Sequence, residues 1–213
     1  MEVNRAAKNV VRAFGLILSF AGLEHGIGEM LQGNTSTNDI VIKSWGDSEL
    51  FSILAGEPAM TLVPNFLVSG ILTIIISCLI TIWCLFFLAK KHSGLVLLLL
   101  SVVLLLVGGG FAPPLIGLII GLAGTQLDSD FSWLKKLKSK SLFRMVARIW
   151  PFSLALGLIC YLYCFPVSII LWGVWGIYIV EMMPIAALLA YLMIFVSIMS
   201  AYSFDALNQR GNV

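Results

Sequence analysis

Long apolar runs separated by short polar stretches organise this chain. The runs cover Val10 to Leu31, about Phe66 to Ala89, about Pro151 to Trp172 and about Pro184 to Ser203. Each is close to the ~20 residues a helix needs to cross a ~30 Å hydrocarbon core. They predict four full spans of an all-α, polytopic transmembrane bundle that forms one integral membrane domain over 1–213. Ser19-Phe20-Ala21 has the small residues of a signal-peptide cleavage site, but the run continues past it to Leu31, so a span fits better than a cleaved leader.

The segment from Gly94 to Thr125 is apolar but interrupted by Gly108-Gly109-Gly110-Phe111-Ala112-Pro113-Pro114. Its arms, 94–108 and 112–125, are each about 14 to 16 residues long and make ~21–24 Å of helix, short of the bilayer core. A single crossing would also turn the following basic stretch to the wrong side. The segment therefore predicts a hairpin, either re-entrant or a pair of short spans that raises the total to six.

Two polar segments complete the layout. Gln32 to Met60 carries Asp39, Asp47, Glu49 and Glu57 against Lys43 alone; Asp39 to Trp45 alternates like a short strand, Asp47 or Ser48 suits the cap of a short helix through Leu54, and Asn34-Thr35-Ser36 reads as a turn. Asp128 to Trp150 predicts a basic interfacial helix, with Phe131, Leu134, Leu137, Met145, Val146 and Ile149 as its apolar stripe. Its charges, Lys135, Lys136, Lys138, Lys140, Arg144 and Arg148, are candidate contacts to anionic lipid, and a plain orienting loop is the competing reading. Pro166 is expected to bend the third full span.

Composition agrees with this class. The chain is 60% hydrophobic and 11% charged, with a mean hydropathy of +1.01, so lipid rather than water suits its surface. The placement of charge matters more than the net +2. All the Lys and Arg residues except Lys43 lie at the termini, at Lys90 and Lys91, or in the basic stretch, so the positive-inside rule puts both termini in the cytoplasm and the 32–60 loop outside a cell membrane, the plasma membrane in the simplest case. Nucleic acid is not an expected partner. Cys78, Cys84, Cys160 and Cys164 sit in apolar runs without a C-x-x-C pair, as small buried hydrophobes do. The layout of basic start, glycine-rich first helix and acidic outer loop resembles that of small four-helix DoxX-like membrane proteins; this is a likeness of layout alone, and no family is assigned from it.

The densest candidate chemistry lies in Gly22-Leu23-Glu24-His25-Gly26-Ile27-Gly28-Glu29. Charges at membrane depth are costly and need a protein or water partner. His25 and Glu29 share a face at i, i+4, Glu24 points about 100° away, and Gly22 with Gly26 allows close helix approach. One reading is a proton-titrating or cation-binding site; the other is a structural cluster at a helix end, with Glu29 among the headgroups. A metal would need ligands from elsewhere, with Asp39, Glu57 and Glu181 the outer-side acids and His92 on the opposite side, so no metal set and no cofactor is assigned. Asn65 suits either a bond to this cluster or a helix cap. Gly108, Gly109, Gly110, Pro113 and Pro114 are candidate pocket backbone or an external turn.

No Walker loop, H-E-x-x-H or Ser-x-x-Lys pair is present. Three function classes remain. The leading one is a transport-type or small-ligand or ion-binding bundle, its pocket opening outward between the first span, the start of the second and the glycine-proline hairpin. The others are a partner or protective subunit that binds another membrane protein, and a membrane-embedded enzyme using Glu24 and His25 on a lipid-soluble substrate.

Overall fold

The computed structural model describes residues 5–46, 48–131, 134 and 141–208. It is a helical bundle. Helix α1 (Arg5–Leu31) is followed by a loop holding a two-stranded antiparallel sheet, β1 (Val41–Lys43) and β2 (Pro58–Met60), and then by α2 (Phe66–Ile82). A short apolar pair comes next, α3 (Ser93–Leu106) and α4 (Ala112–Gly124). The chain continues with α5 (Ser141–Arg148), α6 (Trp150–Leu162), α7 (Ser168–Trp175) and α8 (Met183–Asn208). Among the described residues, four helical stretches are long and apolar enough to cross a membrane: Arg5–Leu31, Phe66–Phe87, Trp150–Trp175 and Val180–Asn208.

The burial pattern is inverted relative to a water-soluble protein. Ser69, Thr73 and Ser77 line the buried face of α2, and Ser197, Ser200 and Ser203 are buried on α8, whereas Ile71, Ile75, Phe152, Ile159, Leu188 and Phe195 stand exposed. Small polar residues let helices approach closely and hydrogen-bond in a solvent as apolar as leucine. The core runs through α1, which packs on α2, α4 and α8. At Gly26 a Cβ would lie 2.9 Å from the carbonyl of Gly70, so the α1–α2 crossing depends on small residues, as the Gly22/Gly26 spacing suggested.

The last span exceeds its expected bounds of 184–203, continuing to Asn208, with Asp205 inside the helix. Its buried carboxylate accepts hydrogen bonds from the backbone N–H groups of Ala6 (3.1 Å) and Ala7 (2.8 Å), capping the first turn of α1. The third span bends where Pro166 was expected to bend it. Tyr163–Val167 forms a wide turn, Phe165 is extended at φ −160°, and Ser168 Oγ donates to the carbonyl of Cys164 at 2.6 Å.

The hairpin arms are 14 and 13 residues long, or about 20 Å each. Their tip is tied to the loop and the start of α2. Thr61 pairs with Val107, Leu62 N–H donates to Leu106 O at 2.8 Å, and the hydroxyls of Ser69 and Thr73 both donate to Val107 O, at 2.7 and 2.6 Å. The break is narrower than the sequence suggested. Val107 to Phe111 leaves the helix, but Pro113 and Pro114 already lie in the first turn of α4, where a missing N–H costs nothing.

The helix expected from Asp128 does not start there: residues 128–131 are non-helical, with Phe131 at φ 50°, while Lys135, Lys136, Leu137, Lys138 and Lys140 lie outside the described residues. Phe131 and Leu134 are buried. In α5, however, the buried residues are Phe143 and Ala147, which face α8, while Met145 and Ile149 point outward and Arg144 and Arg148 are exposed. Packing on α8 therefore takes the 143/147 face and leaves Met145 of the expected stripe on the exposed side of α5. The loop helix expected through Leu54 is a single 3-10 turn, Ser52–Leu54.

Candidate functional site

The site forms where the loop folds back onto the end of α1. Gly28 makes this possible, since a Cβ there would sit 2.6 Å from Ser44 O and 2.8 Å from the Trp45 ring. Trp45 stacks on Phe51 with ring centroids 4.0 Å apart, and its indole N–H donates to Glu24 Oε1. The β1–β2 hairpin holds Ser44 opposite Glu57, with Ser44 N–H donating to Glu57 O at 3.0 Å. Ala55, Gly56 and Glu57 are all left-handed, at φ 53°, 75° and 54°. A bulky residue in that region is uncommon and is kept only where its surroundings hold it.

This strained turn aims Glu57 at α1. Its Oε2 lies 3.4 Å from Nε2 of His25, which is only 3% exposed. On the other side of the ring, Nδ1 is 2.8 Å from Ser44 Oγ, and Ser44 Oγ lies 3.2 Å from Glu29 Oε1. Glu29 is fully buried, which contradicts a place among headgroups. The i, i+4 pair of His25 and Glu29 is therefore bridged through Ser44. Although Glu24 points away from His25 around α1, the loop brings Glu57 close to both, and one ligand atom from each of Glu24, His25 and Glu57 falls within 4.8 Å of the others. Removal from water pushes the Glu57 carboxyl up to about 7.

The two candidate regions of the sequence form one site. Gly108 and Gly110 adopt φ of 112° and 78°; a Cβ at Gly108 would meet the Glu29 carboxylate, and one at Gly110 would lie 2.7 Å from His25 Cε1. Only glycine fits backbone this close to both side chains. Gly108 to Gly110 are buried, as are Pro113 and Pro114, whereas Phe111 is exposed.

Glu24, His25 and Glu57 form one end of a cavity of about 270 Å³. Its apolar part is contributed by Phe111 and Pro113 of the hairpin, Tyr161 and Phe165 beside the bend of the third span, and Met183 and Tyr191 of α8. Tyr191 O–H also donates to Ala112 O at 3.2 Å, closing α8 against the hairpin tip. Among the described residues, no Lys or Arg lines the cavity. The start of α2 does not reach it, contrary to the expected pocket walls; α6 and α8 take that place. Asn65 is also not part of it. Its Oδ1 accepts from Val68 N–H at 3.1 Å as the cap of α2, and its amide donates to Asn34 Oδ1 at 2.7 Å. Asp39 and Glu181 are exposed and do not line it.

Sequence reasoning missed Ser44, Trp45 and the walls from Tyr161, Phe165 and Tyr191. Ser44-Trp45 closes the strand-like 39–45 segment, and nothing in its spacing marks the contact with α1. The cysteines are free, with Cys84 and Cys160 buried, Cys164 partly buried and Cys78 exposed. No protein-family model, no curated protein and no solved structure matches the chain.

Proposed function

We propose that the protein is an integral membrane protein that binds a small cation in the cavity at the loop end of its bundle. One observation carries this reading: two carboxylates and a buried imidazole converge on a cavity that no Lys or Arg among the described residues lines. Buried carboxylates without a cationic partner are costly, and a bound cation removes that cost. The apolar remainder of the cavity gives a second, non-polar wall to any organic part of a ligand.

On this reading the loop end faces outward and both termini face the cytoplasm, because that orientation keeps all basic residues but Lys43 inside. Arg144 and Arg148, both exposed on α5, then lie against the anionic inner leaflet. The packed layer of Phe14, Leu18, Leu104 and Ile120 lies between the site and the basic end, so the ligand enters from the loop side or from the bilayer.

Thermal unfolding of purified, chelator-treated protein in detergent tests the reading, with Zn2+, Mn2+, Ca2+ and octylammonium as separate probes. At least one should raise the unfolding temperature of the wild type and leave a Glu24→Gln/Glu57→Gln variant unmoved. No shift with any probe, or the same shift in the variant, overturns it.

A further inference from the structure

We infer that the cation is a divalent transition metal of the zinc class, held by Glu24, His25 Nε2 and Glu57, with Ser44 and Glu29 orienting the imidazole from behind. The inference rests on the cation-binding reading of the same cavity and narrows it to one class of ligand.

The spacing is that of a metal site more than of a hydrogen-bonded pair. Nε2 and Glu57 Oε2 are 3.4 Å apart, long for a charge-assisted hydrogen bond, which closes to ~2.7–2.9 Å. Zinc binds nitrogen and oxygen at ~2.0–2.2 Å, and two ligands of a tetrahedral ion with such bonds stand roughly 3.4 Å from each other. Glu24 supplies the third ligand within the same 4.8 Å cluster. Three protein ligands would leave a fourth position for a ligand, and Glu24, His25 and Glu57 all line the cavity that could hold one. Within the ligand set itself, two carboxylates and a neutral imidazole balance a charge of +2.

The tautomer follows from the same contacts. Ser44 has one hydroxyl proton, and Glu29 Oε1 accepts it at 3.2 Å. The Ser44 oxygen is then left to accept from His25 Nδ1–H, 2.8 Å away. This places the lone pair on Nε2, facing Glu57 and the cavity. A carboxylate that orients a ligating histidine through a hydrogen bond is a recurrent support of metal sites, and here a serine hydroxyl extends it by one link. Gly110 packs against the ring and further restricts its position.

Mixed imidazole and carboxylate ligation suits zinc, manganese or iron, whereas calcium and magnesium prefer all-oxygen sites with more ligands. Alkali cations lack the affinity for nitrogen that would use His25.

The test is calorimetric titration of Zn2+ into chelator-stripped full-length protein in nanodiscs, with Co2+ absorption as a spectroscopic probe of the donor set. One ion per chain and the intense visible bands of four-coordinate Co2+ are expected. Ser44→Ala should weaken Zn2+ binding by about 10–100-fold, as loss of an orienting partner does. Glu57→Gln, which keeps the shape of the side chain, and His25→Gln should each weaken it further and alter the Co2+ bands. Folding of each variant is checked by its unfolding transition without metal, and Glu57→Gln and Ser44→Ala remain informative if His25→Gln does not fold. Wild-type protein that takes up neither ion, or variants that bind both as well as the wild type, would overturn the metal assignment. If octylammonium or Ca2+ still binds in a Glu57-dependent way, the cation reading survives and the metal class alone fails.

Discussion

Gly110→Ala should damage the protein in two separable ways, and their sizes follow from the geometry. Gly110 sits at φ 78°, where an L-residue pays roughly 1–2 kcal/mol. The new Cβ would also press on the His25 ring, 2.7 Å from Cε1, and overpacking of this kind costs about 1–3 kcal/mol. Together they amount to ~2–5 kcal/mol, a large share of the ~5–15 kcal/mol that holds most domains folded. Gly33 provides the control, since it has nearly the same φ, 77°, with nothing within 4 Å of its Cβ position. Gly33→Ala should therefore lose only the backbone part. Reversible unfolding in mixed micelles, followed by tryptophan fluorescence, measures both variants against the wild type. The excess loss in Gly110→Ala is the packing against His25, and adding His25→Ala should recover it, a coupling of about 1–3 kcal/mol in a double-mutant cycle. If Gly110→Ala costs no more than Gly33→Ala, or if His25→Ala gives no recovery, the contact between the glycine turn and the imidazole is not as described.

Three further outcomes are expected. Asp205→Ala removes both acceptors for Ala6 and Ala7 and should lower stability by about 1–2 kcal/mol in the same unfolding assay; an unchanged midpoint would refute the cap. Burial raises the Glu57 carboxyl from 4.5 to about 7, so in metal-free protein the unfolded chain releases this proton first as pH rises. Its contribution is nil below about pH 4.5 and increasingly destabilising up to about pH 7, and Glu57→Gln should flatten that part of the stability–pH curve; an unaltered curve would show that Glu57 is not buried as described. A single cysteine at exposed Ser141, in a cysteine-free background, should be labelled only after the membrane is opened, and one at exposed Ser36 from outside; the reverse pattern would invert the proposed orientation.

Much of the fold was legible because the bilayer imposes a length on apolar runs, and proline and glycine mark where a run breaks. The four long helices and the hairpin follow from that alone. The continuation of the last helix past Ser203 was not legible, because the partners of Asp205, Ala6 and Ala7, are at the other end of the chain and no local pattern records so distant a cap. The site was half legible. Glu24, His25 and Glu29 stand out because charge is rare in an apolar run, and the glycine triplet because it cannot propagate a helix. That the two regions touch depends on how α3 returns beside α2, which the residues of either region do not encode. Ser44 and Trp45 were invisible for a related reason: serine and tryptophan are ordinary in a loop, and only the close approach at Gly28 gives them a role. Asn65 shows the converse, a residue equally suited to a cap and to the cluster that the structure uses as a cap.

The Asp205 cap has a consequence at the far end of α1. It holds the start of that helix while Ser44 and Trp45 hold its other end against the loop. Between Ala7 and His25 the chain is unbroken helix, so α1 works as a ruler whose length sets the depth of the imbedded imidazole. One residue inserted between Val10 and Ala21 would advance Glu24 and His25 by ~1.5 Å and rotate them by about 100° relative to the anchored end. Neither side chain would then face Glu57, although every residue of the site would still be present. Two full turns, about seven residues, would restore the facing direction but leave the site roughly 10 Å out of place. Changes in the length of this helix are therefore expected to be less tolerated than most changes in its composition.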